Sequence, residues 1–63
     1  MRAWIMTYYV ANRYSQMNER QRMYGASLSE AEVRNLGSKL VANLQRKGVP
    51  VYPNFDVENK LVA

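Results

Sequence analysis

The sequence predicts a mainly α fold: a helical hairpin that forms a homodimer in a four-helix arrangement, with an extended, proline-containing C-terminal tail packed across it. Three observations carry this expectation. The stretch from Ser29 to Gly48 bears the marks of a helix at both ends. Within it Val33, Leu36, Leu40 and Leu44 recur at spacings of three, four and four, the one-face pattern of an amphipathic helix. Upstream, Val10, Tyr14, Met17, Gln21 and Tyr24 also follow helical spacing and stop at Gly25.

The elements follow in order along a single domain, residues 1–63. Met1 to Tyr24 contains no Gly or Pro, and Met6 extends its apolar row backward, while Asn18, Glu19, Arg20 and Arg22 fall on other faces. Arg2 to Tyr8 is rich in strand-favouring Trp, Ile, Thr and Tyr. It either opens the helix or forms a strand that pairs with its own copy. Helix is favoured, which gives a helix over about 3–24 and a turn at 25–28.

The second helix, 29–47, is the best marked. Ser29 is its N-cap and Glu32 completes a capping box, with Leu28 and Val33 placed to close a hydrophobic staple. Glu30 and Glu32 suit the positive end of the helix dipole, and Arg46 and Lys47 the negative end. Gly48 stands at the left-handed C′ position, Val49 can pack back on Leu44, and Pro50 forbids continuation. Gly37 lies beside the apolar stripe, which Val41 widens; it either admits a close neighbour or is a tolerated weakness. The tail, 49–63, reads as extended around Pro50 and Pro53, with Tyr52 and Phe55 as anchors and Asn54 able to cap a short turn.

A chain of 63 residues builds a marginal core on its own. Disulfides, metals and oligomerisation are the usual remedies. With neither Cys nor His, oligomerisation is what remains. The same absences, and the lack of a Gly-rich phosphate loop, argue against an enzyme: no catalytic residue, no metal ligand and no cofactor site is expected. The N-terminus begins like a signal peptide, but Thr7, Tyr8 and Tyr9 interrupt its apolar run, and no segment is long enough to span a bilayer. A cytoplasmic protein with no membrane partner is therefore expected. A net charge of +4 leans toward anionic partners.

The surplus of aromatic and apolar side chains defines the expected interface and core: Trp4, Tyr8, Val10, Tyr14 and Met17 from the first helix, Val33, Leu36, Leu40 and Leu44 from the second. The partners are a second copy and an unidentified protein. Arg13, Arg20 and Arg22 interleave with Tyr14 and Tyr24, but on a helix Arg13 and Arg20 align and Arg22 lies off them, which favours a solvated face. The run Gly25-Ala26-Ser27-Leu28-Ser29-Glu30 resembles the inter-helix turn of ribbon–helix–helix DNA-binding proteins, and the proportions of Met1 to Gly48 are similar as well. That resemblance implies an intermolecular strand ribbon that reads bases, and a phosphate site at Ser27, Ser29 and the amides near Glu30. On this alternative, nucleic-acid contacts fall to Arg2, Arg13, Arg20, Ser27 and Ser29, although neither face of the Arg2–Tyr8 segment is suitably polar for base readout. The short, basic, Cys-free chain also resembles small accessory proteins of temperate phages in its general look. The leading expectation is a non-catalytic regulatory or interaction protein, with the ribbon–helix–helix type regulator as the alternative.

Overall fold

A computed structural model describes residues 1–62. It overturns the mainly α expectation: the chain forms a three-stranded antiparallel sheet with one helix, in the order β1 (Arg2–Ala11), β2 (Met17–Gly25), α1 (Glu30–Arg46), β3 (Asp56–Leu61). The described residues contain one helix and form no helical hairpin, which removes the basis for a four-helix arrangement. The expected helix over about 3–24 is instead a β-hairpin, and the tail supplies the third strand.

Strand β1 is central, in the order β2-β1-β3. Its register with β2 runs unbroken from Ala3 opposite Gly25 to Ala11 opposite Met17. On its other edge Arg2 opposes Leu61 and Thr7 opposes Asp56. A central strand presents two faces to neighbours, and β1 is apolar on both: Trp4, Met6, Tyr8 and Val10 on one, Ala3, Ile5, Tyr9 and Ala11 on the other. That is why its composition showed no clean alternation.

The hairpin turn contains neither Gly nor Pro. Asn12 does the work: its side-chain oxygen accepts from the backbone N–H of Tyr14 at 2.8 Å and of Gln16 at 3.0 Å. The Ser15 N–H donates to the Asn12 carbonyl at 3.0 Å, and Ser15 takes a positive φ of 62°. This is a type I turn followed by a left-handed residue, the usual three-residue hairpin loop.

α1 connects β2 to β3, which flank β1 and run parallel to each other. Ser29 caps it with both halves of a capping box present. At the far end the Val49 N–H donates to the Leu44 carbonyl and the Gly48 N–H to that of Gln45, with Gly48 at φ 83°. These two bonds are the Schellman motif, and they require a left-handed residue at C′. The buried row of the helix is Val33, Gly37 and Val41; Leu40 and Leu44 are half-buried beside it and Leu36 is 37% exposed. The packed face is thus rotated away from the Val33–Leu36–Leu40–Leu44 stripe and centres on Gly37. A Cβ at Gly37 would stand 2.7 Å from Phe55 Cε2 and 3.2 Å from Met6 Sδ. The glycine admits a close neighbour, and that neighbour is the sheet rather than another helix.

Met6, Val41 and Val51 form the core cluster, with Tyr8, Val10, Tyr24, Leu40, Leu44 and Phe55 packed around it. The Trp4 indole N–H donates to the Leu28 carbonyl at 2.8 Å and ties β1 to the entry of the helix. The proline segment also joins the sheet. Pro50 lacks an N–H, but its carbonyl accepts from Ala11 at 2.9 Å, and Tyr52 N–H donates to the Tyr9 carbonyl at 2.9 Å. Beyond Tyr52 the ladder is interrupted, Phe55 packs on the core, and β3 resumes the pairing at Asp56.

Candidate functional site

The alternation of the strands sorts the side chains of the sheet onto two faces of different chemistry. Met6 packs on α1, so the even-numbered residues of β1 face the helix and the odd-numbered ones face away.

Among the described residues no helix or strand lies over the face away from the helix, although Ala3 at its end is buried. Down its centre run Ala3, Ile5, Thr7, Tyr9 and Ala11; Met23 stands directly opposite Ile5 and Met17 opposite Ala11. Met23 is 61% and Met17 41% exposed. At the Met17 end, Tyr9, Met17, Tyr52, Asn54, Phe55 and Asp56 enclose a groove of about 420 Å³. Glu19, Asp56, Glu58 and Lys60 lie at the margins of this apolar band, and Lys60 pairs with Glu58 at 3.7 Å.

The helix side is different. α1 sits over β1 and β3, and β2 lies beside it, exposed at every position but Tyr24. There Arg20 and Arg22 are two residues apart and so share one face, opposite Tyr8 and Met6 of β1. The Arg22 guanidinium stacks 5.8 Å from the centre of the Tyr24 ring. In the hairpin turn Arg13 lies 5.3 Å from the ring centre of Tyr14. Helical spacing separated Arg20 from Arg22; strand spacing aligns them. The sequence reading missed this pair because it applied the wrong period, and the alternation itself was the signal available.

The expected interface residues are divided between these settings. Trp4, Tyr8 and Val10 are half-buried on the helix side, Val33 is fully buried, and Leu40 and Leu44 line the core. Tyr14 is 71% exposed at the hairpin turn rather than on a helix, and Met17 belongs to the open face. Of the expected nucleic-acid contacts, Arg2 donates to Asn59 Oδ1 at 3.2 Å, at one end of the sheet. Ser27 lies in the turn before α1. Ser29 is engaged in the cap: its hydroxyl accepts from the Glu32 N–H at 3.1 Å and its N–H donates to Glu32 Oε1 at 2.9 Å. The Ser29 backbone N–H foremost, and its side-chain hydroxyl second, hold the Glu32 carboxyl below its ordinary pKa. The Gly25–Glu30 turn joins a strand to a helix, and both edges of β1 are occupied within the chain.

No family model matches this chain, and no curated protein or solved structure does either. The arrangement is therefore read on its own chemistry. Among the described residues no cluster of acidic side chains is placed to hold a metal ion, and no helix is long and apolar enough to cross a membrane. Among the described residues, the two faces offer contact area on one side and, on the other, Arg20 and Arg22 without a carboxylate partner.

Proposed function

We propose that this protein is a non-catalytic interaction module that works as a homodimer, joined through the open face of its sheet. The observation that carries the reading is the apolar band in which exposed Met17 and Met23 flank half-buried Ile5 and Tyr9. Its size is consistent with a second copy as occupant. Strands of ten, nine and six residues, at about 3.4 Å per residue and about 4.8 Å between strands, give roughly 410 Å² per copy. Two copies would then bury about 800 Å², smaller than a standard specific interface, which fits a weak, concentration-dependent dimer rather than a permanent one. The chain also exposes 4686 Å², against about 4,200 Å² expected of a compact folded monomer of its mass. Its radius of gyration of 12.4 Å exceeds the roughly 10.6 Å of a compact domain this long. Both excesses are those of a chain that leaves surface for a partner. As a dimer it would act on a further macromolecule and leave small molecules chemically unchanged.

Met23→Glu is the informative variant, because the side chain is mostly exposed in the monomer and its loss leaves the core intact. Sedimentation equilibrium should show the wild-type chain dimerising in the micromolar range and Met23→Glu remaining monomeric with an unchanged circular dichroism spectrum. A wild-type protein that stays monomeric to several hundred micromolar would overturn the proposal.

A further inference from the structure

We infer that the helix-side surface of β2, with the hairpin turn at its start, is a binding strip for single-stranded nucleic acid. It lies on the face of the sheet opposite the proposed dimer contact and does not depend on that reading. The argument begins with charge segregation. Glu19, Asp56 and Glu58 all project from the open face, and Glu30 and Glu32 belong to the first turn of α1. Among the described residues, the strands present Arg2, Arg20 and Arg22 and no acidic side chain on the helix side of the sheet. Arg2 is engaged with Asn59, whereas Arg20, Arg22 and Arg13 have no carboxylate partner among the described residues. Three uncompensated guanidinium groups thus stand along one exposed strand and its turn, with Arg20 and Arg22 about 7 Å apart.

The aromatic rings decide which anion this surface suits. Arg22 over Tyr24 and Arg13 over Tyr14 each pair a planar cation with a π face, at either end of the strip. Such pairs give unpaired bases flat surfaces to stack on while the guanidinium groups hold the phosphates. Tyr14 is 71% exposed and Tyr24 half-buried, so the turn end offers the freer ring. A duplex hides its base faces and would use only the charge. An acidic polypeptide has no rings to stack and would likewise gain nothing from the tyrosines.

The test uses the whole chain and a fluorescent twelve-nucleotide poly-dT probe, with an oligoglutamate peptide and a DNA duplex as competitors. Three phosphate contacts imply a slope of log affinity against log salt of about −2 for a single strand, so roughly a fifteenfold loss between 50 and 200 mM salt. Arg20→Gln with Arg22→Gln should cut the slope below about 1 in magnitude. Tyr14→Ala should weaken binding about fivefold or more with its slope unchanged, because it removes stacking and no charge. Tyr14 is far from the core, and circular dichroism checks that each variant is folded. Met23→Glu should bind the probe as the wild type does, which separates this result from the oligomeric state. Absence of binding at 50 mM salt would overturn the inference. So would equal competition by oligoglutamate or by duplex, or a Tyr14→Ala variant that binds like the wild type.

Discussion

At the scale of single residues, Gly37 shows how a position unfavourable to its own element is set by what lies across from it. Alanine would improve the helix there by up to about 1 kcal/mol. Yet the Phe55 ring and the Met6 sulfur occupy the space a Cβ would need, with the nearest ring carbon at 2.7 Å. Overpacking of that kind typically costs about 1–3 kcal/mol. The expected outcome for Gly37→Ala is therefore a net destabilisation of roughly 0.5–2 kcal/mol in urea denaturation. Phe55→Leu, which shortens the opposing group, should make the Gly37→Ala change milder, and a double-mutant cycle reads that coupling. A Gly37→Ala protein more stable than the wild type would mean that the ring swings away freely. The two readings the sequence left open for this glycine are separated by a residue eighteen positions downstream, which no local pattern displays.

At the scale of elements, legibility followed how far each is fixed by its own residues. The helix from Glu30 is specified locally, by Ser29, Glu32, Gly48 and Val49, and all four make the contacts that a capped helix needs. The strands are specified by each other. Arg2–Tyr8 showed strand-forming residues, but its partners were invisible. β2 reads Met-Asn-Glu-Arg-Gln-Arg-Met-Tyr, mostly residues that prefer helices, and pairing to β1 overrides that preference. The turn that makes the pairing possible depends on Asn12 and a left-handed Ser15 rather than on Gly or Pro. β3 was hidden behind a proline segment that joins the sheet through the Pro50 carbonyl and the Tyr52 N–H. β2 also has a free edge nine residues long, the kind of strand that invites further pairing. A two-fold antiparallel pairing of two β2 strands centred on Arg20, Gln21 or Arg22 sets arginine against arginine, which is unfavourable. Arg20→Val with Arg22→Val should remove that protection. The expected outcome is concentration-dependent aggregation with rising thioflavin fluorescence, while the wild type stays clear; a soluble double variant of normal oligomeric state would show that the arginines are not what keeps the edge single.

At the scale of the whole molecule, the question is how so little core holds a 63-residue chain together. Met6 and Val33 are the large side chains that reach full burial, and the sheet is covered on one face only. The molecule measures 37 × 22 × 14 Å, thin for its length. A domain of this kind gains stability by mass action if a second copy closes the open face. Because the free energy of association is shared by two chains, a hundredfold rise in concentration above the dissociation constant adds about 1.4 kcal/mol per chain. In a domain this small that corresponds to a rise of roughly 6–11 °C in Tm. Calorimetric scans across that range should show the shift for the wild type. Met23→Glu should begin from the same low-concentration Tm and then stay flat, since it removes the contact and leaves the monomer's core untouched. If the wild-type Tm proves independent of concentration while Met23→Glu melts lower at every dilution, then Met23 stabilises the monomer itself, and the open face is closed by nothing.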